Sequence, residues 1–224
     1  MNYQPDPRNV MNGYKLPSLS YCDQPYVVET NDQALLCVMT TGSGKEGQPG
    51  QHVVVFKSWD AGKTWSESIQ LESDHGPESS YAVLLKTPYG RLFCFYNYNE
   101  KNIRELPAIG LEKFIGTPFR HDAIGYYNEI RENRAPFKDG NCTRVDTMGT
   151  FVFKISDDHG QSWSTNRYTI PVREMEIDHN NPCQGQVRLF WNVGVPFIFN
   201  DCVNLPLIKV GGFGPGYIAS SEGV

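Results

Sequence analysis

The chain carries one eight-residue pattern twice. Ser58-Trp59-Asp60-Ala61-Gly62-Lys63-Thr64-Trp65 and Ser156-Asp157-Asp158-His159-Gly160-Gln161-Ser162-Trp163 both read S-x-D-x-G-x-[S/T]-W. Each copy follows an apolar, β-prone run: Val53-Val54-Val55-Phe56-Lys57 in the first case, Phe151-Val152-Phe153-Lys154-Ile155 in the second. The pattern is that of a tight hairpin. An Asp carboxylate accepts N–H groups of its own turn, and Gly supplies the positive-φ position. The hydroxyl at Thr64 or Ser162 adds a second local bond, and the Trp lays a large ring over the hairpin base. Two copies, each at a strand exit, constrain the chain to a repeated β-hairpin unit.

The two stretches resemble Asp boxes, the BNR repeats of the sialidase (neuraminidase) superfamily of β-propellers. The resemblance implies an all-β fold of four-stranded blades, with each box at the turn between strands three and four. Boxes in that family are structural marks remote from the active site, so they argue for fold before function. The Tyr21-Cys22-Asp23-Gln24-Pro25-Tyr26 opening, Arg144-Val145-Asp146 before the second box and Ile170-Pro171-Val172-Arg173 after it look like a bacterial branch of sialidase-like BNR proteins.

Composition suits this reading. Charged residues make up only 20% of the 224 residues, with 21 Gly and 15 Pro, which fits turn-rich β structure better than a helical bundle. A net charge of −5 gives no basic footprint for nucleic acid. No apolar run approaches the ~18–20 residues of a membrane span. Met1–Arg8 lacks the basic and apolar regions of a signal peptide, so a cytoplasmic location is expected if Met1 is the true start, and a secreted or periplasmic one if the N-terminus is processed. The six cysteines, Cys22, Cys37, Cys94, Cys142, Cys183 and Cys202, contain no CxxC pair. They are expected to be free and mostly buried thiols. Neither a cofactor nor a metal site is expected.

Residues 1–20 read as a lead-in segment, and 21–224 as a partial propeller. The first blade, about 21–72, has strands at Pro25–Thr30, Ala34–Met39, His52–Ser58 and Trp65–Leu71. The second, about 80–172, has strands at Tyr81–Lys86 and Arg91–Tyr96. Its third strand waits until Thr150, which leaves 97–149 as an insertion with a short helix expected around 123–134. Ser164–Ile170 closes it. Val187–Trp191, Val195–Phe199 and Asn204–Val210 read as strands of a third blade from about 186. Propellers close with about 4–8 blades, and sialidase-like ones have six. The sequence is therefore expected to be part of a longer protein, or to pair with a second chain that closes the ring.

If the boxes share one face, the loops between strands two and three, and between blades, lie on the other. Asp23 enters the first strand there, as a general base, an orienter of a sugar hydroxyl, or a cap on its own backbone. Arg144 and Asp146 end the insertion on that face, as a substrate clamp and acid or as a structural ion pair. Arg173 and Asp178 come from the acid-rich loop 172–186, and Glu78 from the loop between the first two blades. Arg120, His121 and Asp122 form a weaker group. Gly42–Glu46 lacks phosphate-loop spacing, and the five His show no HExxH.

The resemblance implies a Tyr nucleophile activated by Glu, an Asp acid/base and three Arg gripping a substrate carboxylate, a departure from the two-carboxylate scheme of most glycosidases. The chain departs from it in turn. Cys22-Asp23-Gln24-Pro25 stands where an Arg-Ile-Pro motif is expected, and Thr41–His52 has no Asp. The expected function is a sialidase-like glycoside hydrolase acting on a glycan, with a non-catalytic glycan- or protein-binding propeller, or a propeller glycosidase of another family, as the alternatives.

Overall fold

The computed structural model describes residues 6, 8–44, 50–102, 149–180, 190–192, 194–209 and 216–220. They form three antiparallel sheets. The first runs β1 (Tyr21–Glu29), β2 (Leu35–Gly42), β3 (His52–Ser58), β4 (Ile69–Gln70) in spatial as in chain order. The second repeats that order with β5 (Ser79–Lys86), β6 (Leu92–Tyr98), β7 (Thr150–Ser156) and β8 (Tyr168–Thr169). A short helix, α1 (Glu176–Asn180), lies between the second and third sheets.

The third sheet is built differently from the expectation. β9 (Phe190–Trp191) and β10 (Phe197–Phe199) are not separate neighbours; both pair with β11 (Cys202–Lys209), as two halves of one interrupted row. β12 (Gly216–Ser220) pairs with the other edge of β11. Pro206 lies opposite the interruption and has no N–H to give a ladder. Gly194 approaches its ring more closely than a side chain would permit.

The fourth strands are also shorter than expected, two residues each instead of a run from Trp65 or Ser164. The cause repeats in both sheets. Lys57 N–H donates to Ser66 Oγ at 3.0 Å, while Ser66 N–H donates to Lys57 O at 2.8 Å. Ile155 and Ser164 exchange the same two bonds. A serine hydroxyl stands in for a ladder carbonyl, and regular pairing resumes only at Ile69 and Tyr168. β1 begins earlier than expected, at Tyr21, because a bulge carries pairing through Pro25. β6 runs on to Tyr98, into the segment read as insertion; the helix expected around 123–134 lies outside the described residues.

The sheets stack face to face. Leu36, Val38, Val53 and Val55 of the first sheet meet Ala82, Leu84, Leu92, Cys94, Tyr96 and Val152 of the second. The other face of the second, with Val83, Leu85, Phe95 and Phe151, packs on Leu205, Ile198 and Val203 of the third. Hence β5 and β7 alternate between two apolar layers, and β5 is buried on both faces. The far face of the first sheet, Met39, Val54 and Phe56, is covered by Leu16 of the lead-in segment and by Trp65. Cys37 and Cys94 are buried free thiols; Cys22 is exposed and Cys202 half-buried. Burial pushes the Cys37 thiol up to about 12. Cys142 and Cys183 lie outside the described residues.

Candidate functional site

The two repeated turns adopt the same bonding. Asp60 accepts from Thr64 N–H at 2.8 Å, Thr64 Oγ1 at 2.7 Å and Ser58 Oγ at 2.9 Å, and Gly62 N–H donates to Ser58 Oγ at 2.8 Å. Asp158 accepts from Ser162 N–H at 2.9 Å, Ser162 Oγ at 2.5 Å and Ser156 Oγ at 2.8 Å, and Gly160 N–H donates to Ser156 Oγ at 2.9 Å. These bonds hold the Asp60 carboxyl down at about 2, the Thr64 backbone bond contributing most. Trp65 Nε1 donates to Gly62 O at 3.1 Å, whereas the Trp163 Nε1 is buried without a partner. The carboxylates of Asp60 and Asp158 are thus engaged within their own turns, which makes both turns structural.

At the end opposite these turns begin β1, β3, β5 and β7, and the first two of the three sheets share a device there. Between Asp23 and Tyr26 the register of β1 against β2 slips by one residue, with Gln24 at φ 49°. Between Ser80 and Val83 the register of β5 against β6 slips the same way, with Tyr81 at φ 57°. A positive φ at a bulky non-glycine residue costs energy and persists only where packing imposes it. In the third sheet the row β9–β10 is interrupted between Trp191 and Phe197.

The first bulge decides where Asp23 points. Residues three apart in a regular strand face opposite sides. Here Asp23 lies opposite Thr40, and Tyr26 opposite Val38. Thr40 and Val38 are two apart, so Asp23 and Tyr26 share a face. It is the face turned to the second sheet: Val38 belongs to that core, and Tyr81 N–H donates to Thr40 Oγ1 at 3.1 Å. Asp23 is half-buried there. Burial first, and the charge of Asp23 second, push the Tyr26 hydroxyl above its ordinary range.

The other expected residues fall elsewhere. Glu78 is buried, and its carboxylate accepts from Gln51 N–H at 3.2 Å and Ser80 Oγ at 2.9 Å, tying β3 to β5. Arg173 is exposed just before α1. Asp178 is buried in α1, and its Oδ2 accepts from Met175 N–H at 2.9 Å, a capping bond. Arg144 and Asp146, with Arg120, His121 and Asp122, lie outside the described residues.

Two polar clusters went unread in the sequence. Glu72, 5% exposed, receives Tyr96 Oη at 2.5 Å, Arg167 Nε at 2.6 Å and Arg167 Nη2 at 2.5 Å, with Lys154 Nζ at 3.4 Å. Lys154 also donates to Leu71 O at 2.6 Å, and the Arg167 guanidinium lies 4.1 Å from the Tyr98 ring centroid. Burial raises the Glu72 carboxyl, but the Arg167 and Tyr96 bonds outweigh it and leave it below the usual range. Burial and the Glu72 charge drive the Tyr96 phenol far up, the reverse of an activated nucleophile. In the second cluster Lys57, 2% exposed, donates to Asp32 Oδ2 at 2.7 Å and to His159 O at 2.9 Å. The signal for both was present: a lysine inside an apolar strand run demands a buried partner.

Among the described residues no group of three or more His, Cys, Asp or Glu converges as a metal site, and no helix is long and apolar enough to cross a membrane.

No protein-family model matches the chain, and comparison with curated proteins gives no match. Solved structures do match. A protein of unknown function from Dyadobacter fermentans aligns over 88% of this chain and 50% of its own, at 15% identity and a TM-score of 0.56. The Hadza microbial sialidase Hz136 aligns over 90% of this chain and 35% of its own, at 14% identity and a TM-score of 0.54. The chain thus spans half, or about a third, of the length of the structures it matches. At such identity the likeness is one of fold: stacked antiparallel four-stranded sheets, in an architecture that a sialidase also uses.

Proposed function

We propose that this chain is part of a sialidase-like β-propeller glycoside hydrolase, with its three sheets as consecutive blades, its repeated turns as Asp boxes and its substrate a glycan, an acidic sugar being one candidate. The remaining blades of a six-bladed ring come, in this reading, from further sequence or from a second chain. The observation that carries it is the pair of identically bonded S-x-D-x-G-x-[S/T]-W turns in equivalent positions of two sheets. They mark one end as structural, and the other end presents Asp23 on a bulged first strand. Asp23 is the acid/base group and Asp146 a second catalytic acid; Arg144 and Arg173 are substrate contacts. Glu78 and Asp178 hold the loops that carry the site.

The test is hydrolysis of fluorogenic sialosides and other glycosides by the intact gene product. Asp23→Asn is expected to lower kcat/KM by about 10²–10⁴-fold with the fold unchanged. Unaltered turnover in that variant removes Asp23 from the mechanism. Binding of glycans without turnover selects the second reading, a non-catalytic glycan-binding propeller, which the absence of any Arg from β1 favours.

A further inference from the structure

We infer that the end of the first two sheets that carries the repeated turns holds a second binding site, for a neutral glycan. The Trp59 and Tyr89 rings stack on sugar faces there, and the polar groups of Asn31, Asp32 and Lys86 take the sugar hydroxyls. The site lies at the end opposite the start of β1, so it goes beyond the reading of Asp23 as the acid/base group and does not depend on it.

The repeat supplies an internal control. Trp59 is the second residue of the first S-x-D-x-G-x-[S/T]-W turn, and the second turn has Asp157 in that place with the same bonding around its Asp. The turn therefore does not need the indole. Trp65 and Trp163, which belong to the pattern, are half-buried, whereas Trp59 is 64% exposed. Tyr89 stands in the same relation to the β1–β2 connection. Leu35 pairs with Ser58 and Leu92 with Ser156, so the β1–β2 and β5–β6 connections lie at the same end as the repeated turns. The β5–β6 connection closes with Thr87 N–H on Arg91 O at 2.8 Å and Gly90 N–H on Thr87 O at 3.0 Å. The β1–β2 connection closes alike, with Thr30 N–H on Ala34 O at 2.9 Å and Gln33 N–H on Thr30 O at 3.0 Å. Asp32 holds the place of Tyr89 there, and Tyr89 is 92% exposed. Both rings are held in water at positions where the fold does not require a ring.

The two rings belong to one surface, which sets them apart from apolar residues scattered singly. The Trp59 ring centroid lies 5.5 Å from Lys57 Nζ, which donates to Asp32 Oδ2 at 2.7 Å and to His159 O at 2.9 Å. Lys57 is thereby fixed, and it steadies the indole beside it. Asn31, next to Asp32, accepts from Lys86 Nζ at 3.3 Å, and its amide lies against Gly90 so closely that no Cβ would fit there. Gly90 adjoins Tyr89. A line of contacts thus runs from Trp59 through Lys57, Asp32, Asn31 and Gly90 to Tyr89.

The chemistry of this line fits a sugar chain. A sugar presents a C–H face, which stacks on an aromatic ring, and an edge of hydroxyls, which an amide, a carboxylate and an ammonium bind. The cations form no anion clamp: Lys57 is paired with Asp32, Arg91 with Asp157, and Lys86 with the Asn31 amide. A neutral glycan is therefore the match. A protein hot spot would need an apolar, water-excluding centre, whereas the rings are flanked by the polar Asn31, Asp60, Lys63 and Arg91.

The test is affinity electrophoresis of the full chain in native gels that contain xylan, galactan or β-glucan, with a casein gel as the polypeptide control. Retardation by at least one polysaccharide is expected, weakened about 5–10-fold by Trp59→Ala and by Tyr89→Ala. Should Trp59→Ala disturb Lys57 and the fold, Tyr89→Ala decides alone, since its ring stands in water. No retardation in any polysaccharide gel overturns the inference. Retardation that both ring variants leave untouched overturns it too, and so does equal retardation in casein, which would make the rings a protein contact. Retardation lost with the rings in a chain that hydrolyses no fluorogenic glycoside keeps this site and overturns the hydrolase reading; hydrolysis without retardation does the reverse.

Discussion

Arg167 closes on Glu72 through two parallel hydrogen bonds, Nε to Oε1 at 2.6 Å and Nη2 to Oε2 at 2.5 Å. The fork joins the segment just after the first sheet to the approach of β8 in the second, across 95 residues of chain. Tyr96 and Lys154 reach the same carboxylate from β6 and β7. Two cations and a phenol on one buried carboxylate make a clasp between neighbouring sheets.

Removing the centre of that clasp is expected to be costly. Glu72→Gln leaves Lys154 buried without its counter-charge, and a loss of about 3–5 kcal/mol of stability is expected. Tyr96→Phe forfeits one hydrogen bond to a charged group, about 1.5–3 kcal/mol. Urea unfolding at neutral pH measures both, and a Glu72→Gln midpoint equal to that of the native protein would show that the cluster contributes nothing.

The Asp32–Lys57 pair sets a pH dependence. Burial raises the Asp32 carboxyl, but bonds from Lys57 and Thr30 and the charges of Lys57 and His159 overcome this and hold it at about 2. That lies below the unfolded value of about 3.9, so the unfolded chain binds the proton more readily. The stabilisation is full above about pH 4 and is lost as pH falls toward 2. Asp32→Asn should lose stability at neutral pH and flatten the curve of unfolding midpoint against pH over that window. Parallel curves for the two proteins would remove Asp32 from the acid response.

The two turn glycines should differ although their φ angles, +85° at Gly62 and +83° at Gly160, are nearly equal. A Cβ at Gly62 meets Trp65 and Leu35 at 3.6 and 3.7 Å, ordinary contact distances. Gly62→Ala then carries only the left-handed strain, about 1–2 kcal/mol. A Cβ at Gly160 falls 2.7 Å from Leu36 Cδ1, inside the core between the sheets. Gly160→Ala adds overpacking of about 1–3 kcal/mol to the same strain. Thermal melting of the two variants side by side checks the order, and Leu36→Ala combined with Gly160→Ala should recover part of the second term.

Most of the strand pattern was legible, because apolar runs between turn residues are a local signal. His52–Ser58 and Thr150–Ser156 lie where their sequences put them. The short fourth strands were not legible, since nothing local distinguishes a serine that faces water from Ser66 or Ser164 replacing a ladder carbonyl. The joining of β9 and β10 into one row was hidden for a similar reason: spacing separates them, and only their common partner unites them.

Of the site, the two turns and the residue types near the first strand could be read from local sequence. Each Asp-centred turn closes within eight residues, and short-range hydrogen bonding needs no distant partner. It also marked Asp23 as a carboxylate at the start of a strand. That Asp23 and Tyr26 share a face comes from sheet packing, since a one-residue slip against β2 inverts the side-chain alternation and the slip is held by a contact from another sheet. It alone gave Lys57 and Lys154 their partners, and it showed Glu78 and Asp178 buried, each accepting a backbone N–H. A buried charge declares in the sequence that a partner must exist; which partner it is depends on how the sheets stack.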